Sequence, residues 1–171
     1  MSELFSIQLQ NRQQQGRDGV WLDLPTTTEQ VQAALRQIGI SSDNPQGLFI
    51  SGYFAEEGKR FAIPYNMVLA SNVDELNFLA ARLETLSAGG RAELNAALQA
   101  PQSELFSIGR ITDFPENVDY YVHLPEVHGH AQLGDYYLNR SGMVDMPEEW
   151  KGGIDTAQFG RYVAQQEQAL F

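Results

Sequence analysis

The sequence predicts an α+β fold, with strands gathered near the N-terminus, helices across the middle and a mixed segment closing the chain. Three observations carry that reading. Apolar residues alternate with polar ones in two runs of the first twenty-five positions, the apolar period from Asn72 is that of helices, and the order of strands with one helix, then helices, then a mixed unit differs from the regular alternation of a doubly wound parallel sheet. With 171 residues, 43% of them hydrophobic and 19% charged, the chain carries enough apolar surface to offset the entropy lost on folding.

Taken in order, Leu4 to Gln10 sets Phe5, Ile7 and Leu9 against Ser6, Gln8 and Gln10, the period of a half-buried strand. A polar loop follows. Val20, Leu22 and Leu24 alternate next, with Trp21 and Asp23 on the other face, and Pro25 ends the run, so the two strands are predicted to pair as a hairpin. Thr26 to Thr28 offer an N-cap, and Val31, Ala34, Leu35 and Ile38 share one helical face before Gly39 stops it. Leu48 to Phe54 reads as a third strand, followed by the charged turn Glu56 to Arg60, which completes a small ββαβ unit. From Asn72, which with Glu75 makes a capping box, the residues Leu76, Leu79, Leu83 and Leu86 form one apolar face. A second helix is expected from near Gly90 through Leu94, Ala97 and Leu98 to Pro101. Beyond that, Ser103 to Arg110 and Asp113 to Val118 are short and mixed. Tyr120 to Leu124 reads as a strand, Leu133, Tyr136 and Tyr137 as a helix, and a last helix from Asp155 is expected to bury Phe159, Tyr162 and Val163. The predicted units are residues 1–62, 63–102 and 103–171.

Ser2-Glu3-Leu4-Phe5-Ser6-Ile7 recurs letter for letter as Ser103 to Ile108. The flanks do not continue the match, so the echo is weak support for a repeat, which needs a period and several copies.

The chain holds 22 acidic and 11 basic residues, a formal net charge of -11. Such a surface repels nucleic acid and anionic membrane and attracts basic surfaces. Residues 103–171 carry eleven acidic against four basic residues, most of the imbalance. Asp113, Glu116, Asp119, Glu126, Asp135, Asp145, Glu148, Glu149 and Asp155 are dispersed there rather than run together, and the first eight are the candidate target-binding surface. A solvated acidic face and an imitation of DNA phosphates both fit that dispersal. A compact chain of this length spans ~40 Å, and duplex DNA of that length holds roughly 24 phosphates. One copy alone is therefore a dilute mimic, and a dimer would cover a longer footprint.

Other chemistry is thin. With no cysteine, disulfides, thiolate zinc sites and cysteine nucleophiles are excluded. All three histidines lie in His123-Leu124-Pro125-Glu126-Val127-His128-Gly129-His130, a mixture that metals favour. The spacing matches no helix-borne ligand pattern, however, and Gly129 favours a turn, so a loop of solvated or capping histidines is expected and no metal or other cofactor is assigned. No Gly-x-Ser-x-Gly elbow is present, and Gly89-Gly90-Arg91 and Gly152-Gly153 lack the spacing of a phosphate loop. No catalytic residue is assigned. The tyrosines at 120, 121, 136 and 137 lack a basic groove for stacking bases and read as core or interface residues. Without a signal peptide or a membrane-length apolar run, a cytoplasmic protein is expected.

Several segments together resemble the antirestriction protein ArdA family. They are Val20-Trp21-Leu22-Asp23-Leu24-Pro25 with the Thr-rich helix start, Ile38-Gly39-Ile40, Leu48-Phe49-Ile50, Asn72-Val73-Asp74-Glu75-Leu76-Asn77-Phe78-Leu79-Ala80, Leu133-Gly134-Asp135-Tyr136-Tyr137-Leu138, and Asp155 with Phe159-Gly160-Arg161. The resemblance covers nearly the whole chain. It implies an elongated three-part α+β protein of mobile genetic elements that forms a homodimer. It also implies a non-enzymatic DNA mimic whose carboxylates occupy the DNA groove of type I restriction-modification enzymes. Two alternatives stay open: an acidic module with a different partner, and a metal-dependent enzyme using the His123 to His130 cluster.

Overall fold

Strand β1 (Phe5–Asn11) buries Phe5, Ile7, Leu9 and Asn11 and leaves Ser6, Gln8 and Gln10 partly exposed, the alternation its sequence dictates. The computed structural model describes residues 4–14, 18–41, 45–57, 60–100, 103–116 and 122–171. β1 is central: β2 (Val20–Leu24) and β3 (Leu48–Phe54) flank it, both antiparallel. Ile7 lies opposite Leu22 on one side and Tyr53 on the other. The β1–β3 register shifts between Gln8 and Leu9, leaving Ser51 as an extra residue whose Oγ donates to Gln8 Oε1 at 3.0 Å.

Helix α1 (Thr28–Gln37) starts from the expected cap, with Thr27 and Gln30 bonding reciprocally. It stops at Gly39, whose φ of 70° suits a residue without Cβ. Asn11 is buried at the end of β1 because it serves that helix end: its Nδ2 donates to the carbonyls of Ile38 at 3.0 Å and Gly39 at 3.3 Å. Tyr53 packs edge-on against Phe5 with its hydroxyl enclosed and without a hydrogen-bond partner among the described residues. Burial pushes that hydroxyl above its usual range, with Arg60 opposing the shift.

Among the described residues, four helices complete this part: α2 (Tyr65–Leu69), α3 (Val73–Glu84), α4 (Ala88–Gln99) and α5 (Ile108–Asp113). Asn72 caps α3 by accepting from the Glu75 amide at 2.9 Å, and Ser87 caps α4 through the Gly90 amide at 3.1 Å. Leu76, Leu79, Leu83 and Leu94 are fully buried in a single core that runs from Leu4 to Phe114. The chain divides into two compact units, Met1–Val122 and His123–Phe171. In the second, α6 (His130–Asn139) and α8 (Thr156–Glu167) enclose a small core of Leu133, Val163 and Ala164, and the short α7 (Glu148–Lys151), which buries no residue, lies between them in the chain.

The three-stranded antiparallel sheet and the helices make the α+β fold that the sequence predicts. Three local readings change. Tyr120 and Tyr121 lie outside the described residues, and Val122 to Leu124 are not a strand. The mixed stretch after Ser103 contains α5, started by Ser107, whose hydroxyl accepts from the Arg110 amide. Tyr162 is 61% exposed, because Phe159, Gly160, Val163 and Ala164 hold the inward face of α8 and Tyr162 falls on the other side.

The hexapeptide echo is not a repeat. In the first copy Phe5 to Ile7 are strand, whereas in the second Phe106 is 68% exposed, Ser107 is a cap and Ile108 begins a helix. The flanks decide the outcome. Gln8-Leu9-Gln10 prolongs a period of two, while Ile108, Ile111 and Thr112 are all buried at helical spacing.

Candidate acidic interaction surface

The candidate carboxylates come mostly from helix ends and turns. Asp113 closes α5 and is exposed. Glu116 ends the 3-10 turn Phe114–Glu116, and Asp119 lies outside the described residues. Glu126 is exposed in the turn before α6, Asp145 in the loop before α7, and Glu148 and Glu149 in the first turn of α7. Acidic residues favour that end of a helix through its dipole. Asp135 is half-buried on α6. Asp155 caps α8, accepting from the amides of Ala157 at 2.9 Å and Gln158 at 3.0 Å, so part of its charge is spent on the fold.

Arg140 brings two of these carboxylates together. One guanidinium nitrogen lies 3.4 Å from Glu126 Oε2 and the other 3.3 Å from Asp135 Oδ2. The guanidinium also rests over the Tyr136 ring at 5.7 Å. Asn139 Nδ2 donates to Asp135 Oδ1 at 2.8 Å, and the His128 amide donates to Gln132 Oε1 at 2.6 Å, which ties the turn carrying Glu126 to α6. Glu148 pairs with Lys151 at 2.6 Å, with the Glu148 side chain 82% exposed. Asp145 and Glu149 have no ion-pair partner among the described residues. On α6, burial first and then Glu167 and Tyr136 raise the hydroxyl pKa of Tyr137, so it adds no charge at neutral pH.

The resulting field is negative. Residues 123–171 carry seven acidic and three basic residues, and two of the three bases, Arg140 and Lys151, are engaged by carboxylates. Arg140 was missed from sequence: the i, i+4 spacing on α6 brings Asp135 to Asn139, whereas Arg140 is the residue that caps the end of that helix.

The histidines do not converge. His130 sets its ring edge-on to Phe171 at 4.9 Å, and Glu126 is held by Arg140. Among the described residues, no group of three His, Cys, Asp or Glu could hold a metal ion. Also among the described residues, no helix is long and apolar enough to cross a membrane.

The segments that carry the family resemblance meet in pairs. Thr26, beyond the Trp-Leu-Asp-Leu-Pro run, and Asn77, in the Asn-Val-Asp-Glu-Leu-Asn run, exchange two hydrogen bonds: Thr26 N–H to Asn77 Oδ1 at 2.7 Å and Asn77 Nδ2 to the Thr26 carbonyl at 3.0 Å. They fasten α3 to the end of β2. Asn77→Ala strands two partly buried backbone groups and is expected to destabilise the first unit by about 1–3 kcal/mol. A lower denaturant midpoint at unchanged slope checks this, and an unmoved midpoint refutes it.

In the second unit Gly134 and Gly160 face each other where α6 crosses α8. A Cβ on Gly134 would lie 1.9 Å from the Thr156 carbonyl oxygen, and one on Gly160 would lie 1.7 Å from that of His130. Only hydrogen fits at either position. These motif residues therefore hold the fold within each unit.

The family model described as antirestriction protein (ArdA) matches residues 15–171 of the chain. No curated protein matches it in sequence.

Proposed function

The chain belongs to the ArdA family of antirestriction proteins, and from that premise we propose that it is a non-enzymatic DNA mimic. In this reading it occupies the DNA groove of type I restriction-modification complexes as a homodimer and blocks access of DNA. Residues 103–171 act as the principal recognition segment, with residues 1–62 and 63–102 as the other two parts of the chain.

The observation that supports this most is the accessibility of the acidic set. Asp113, Glu126, Asp145, Glu148 and Glu149 are exposed and Asp135 is half-exposed, while Arg140 and Lys151 are engaged by carboxylates. A groove built for phosphates offers fixed Lys and Arg side chains and backbone N–H donors. Exposed carboxylates accept from the same groups through charge-assisted bonds. The -11 charge of each copy steers encounter with a basic cleft, and a dimer doubles it.

Competition tests the reading. Purified protein is expected to displace duplex DNA from a type I methyltransferase core at ~50 mM salt and to do so at least tenfold less well at ~200 mM, because screened charge pairs dominate such interfaces. No displacement at either salt overturns it. Binding without competition would instead indicate an acidic module that grips a basic surface away from the DNA groove.

A further inference from the structure

We propose that Arg140 is a positioning residue of the acidic surface, setting the carboxylates of Glu126 and Asp135 as one fixed unit for the target. The proposal rests on the DNA-mimic reading and deepens it. The ion pairs are exposed, with Arg140 at 44% and Glu126 at 81% side-chain accessibility, so they contribute little to stability. Their geometry is specific nonetheless. One nitrogen of the guanidinium takes Glu126 from the turn and the other takes Asp135 from the helix, and the plane rests on Tyr136. A Lys ammonium is a point charge without that rigid fork.

Two carboxylates around one guanidinium carry a net charge of -1, the charge of a single phosphate diester, and Glu126 Oε1, together with the remaining lone pair of Asp135 Oδ1 beside its bond from Asn139, faces a target cation as acceptor. Without Arg140 the two carboxylates repel each other, and Glu126, on a turn rather than a helix, is the one free to move. A target cation would then have to order it on binding, at the entropic cost of immobilising a flexible side chain.

The experiment separates positioning from charge by the sign of the effect. Arg140→Gln makes the protein more negative by one, so simple attraction to a basic groove predicts tighter binding, whereas positioning predicts weaker binding. In the competition assay, R140Q is expected to be about five- to tenfold weaker than wild type, with R140K recovering only part of the loss. Glu126→Gln is expected to weaken wild type but to add little on top of R140Q. Relaxation of the Val127 and His128 amides in the free protein is expected to show greater mobility in R140Q, a readout that needs no target. Binding by R140Q equal to or tighter than wild type, full recovery by R140K, additive effects of the two substitutions or unchanged amide mobility would each overturn the proposal. Failure of wild type itself to displace DNA would defeat the mimic reading instead. Displacement by wild type with R140Q unchanged would defeat only the role of Arg140.

Discussion

Gly160→Ala is expected to unfold the second unit while leaving the first intact. The added methyl would sit 1.7 Å from the carbonyl oxygen of His130, an atom at the start of a helix that cannot swing aside as a side chain can. Relief requires α6 and α8 to separate, which opens the small core of Leu133, Val163 and Ala164. Overpacking of this kind costs about 1–3 kcal/mol and sometimes more. At roughly 0.05–0.15 kcal/mol per residue, a unit of this size has only about 2–7 kcal/mol to lose. Hydrogen exchange should therefore show loss of protection across α6 and α8 with the sheet amides unchanged. The control is Gly109→Ala on α5, where a Cβ meets nothing within 4 Å and where replacing a helical glycine favours the helix by up to about 1 kcal/mol. Equal protection in G160A and wild type would mean that the close crossing does not hold the unit together.

Neutralising Glu116, Asp119, Glu148 and Glu149 together to their amides is expected to weaken target binding by about 2–4 kcal/mol, near two orders of magnitude in affinity, at about 0.5–1 kcal/mol per exposed pair. Amides keep the size of each side chain and remove four negative charges, so the thermal midpoint should change little. The dependence on salt should become shallower, since fewer charge pairs are screened. Titration of the variant against the methyltransferase core at two ionic strengths provides the check. Undiminished affinity would move recognition away from residues 103–171, and the exposed carboxylates Asp18, Asp23, Glu29, Asp74 and Glu75 of the first unit would become the leading candidates.

Periodicity and capping carry much of the architecture in the sequence itself. The strands are legible because one face is buried and the other is not. α1, α3, α4, α6 and α8 are legible because each has ten or more residues over which an apolar stripe can register. α2 and α7, of five and four residues, are too short for a stripe, and each follows a proline rather than a side-chain cap. Tyr162 shows a second limit, because a run of neighbouring aromatic residues does not say which of them lies on the buried arc. The surface was legible as composition and position but not as geometry. That Glu126 and Asp135 converge depends on a turn folding back onto a helix, and the agent is a cation, which a search for carboxylates passes over. Asn77 and Gly160 stood in recognisable motifs, yet their work, bonding a distant backbone and letting two helices touch, appears only once the chain is folded.

The duplicated hexapeptide gives the folded protein one linear epitope with two accessibilities. Leu4, Phe5 and Ile7 of the first copy are enclosed by the sheet and its helices, whereas Glu104 and Phe106 of the second stand in solvent, with Arg110 drawn to both. An antibody that reads the phenylalanine ring of this hexapeptide thus meets it exposed once on the native molecule, at Phe106, and twice on the denatured chain, which makes the ratio of its binding a natural counter of unfolded protein.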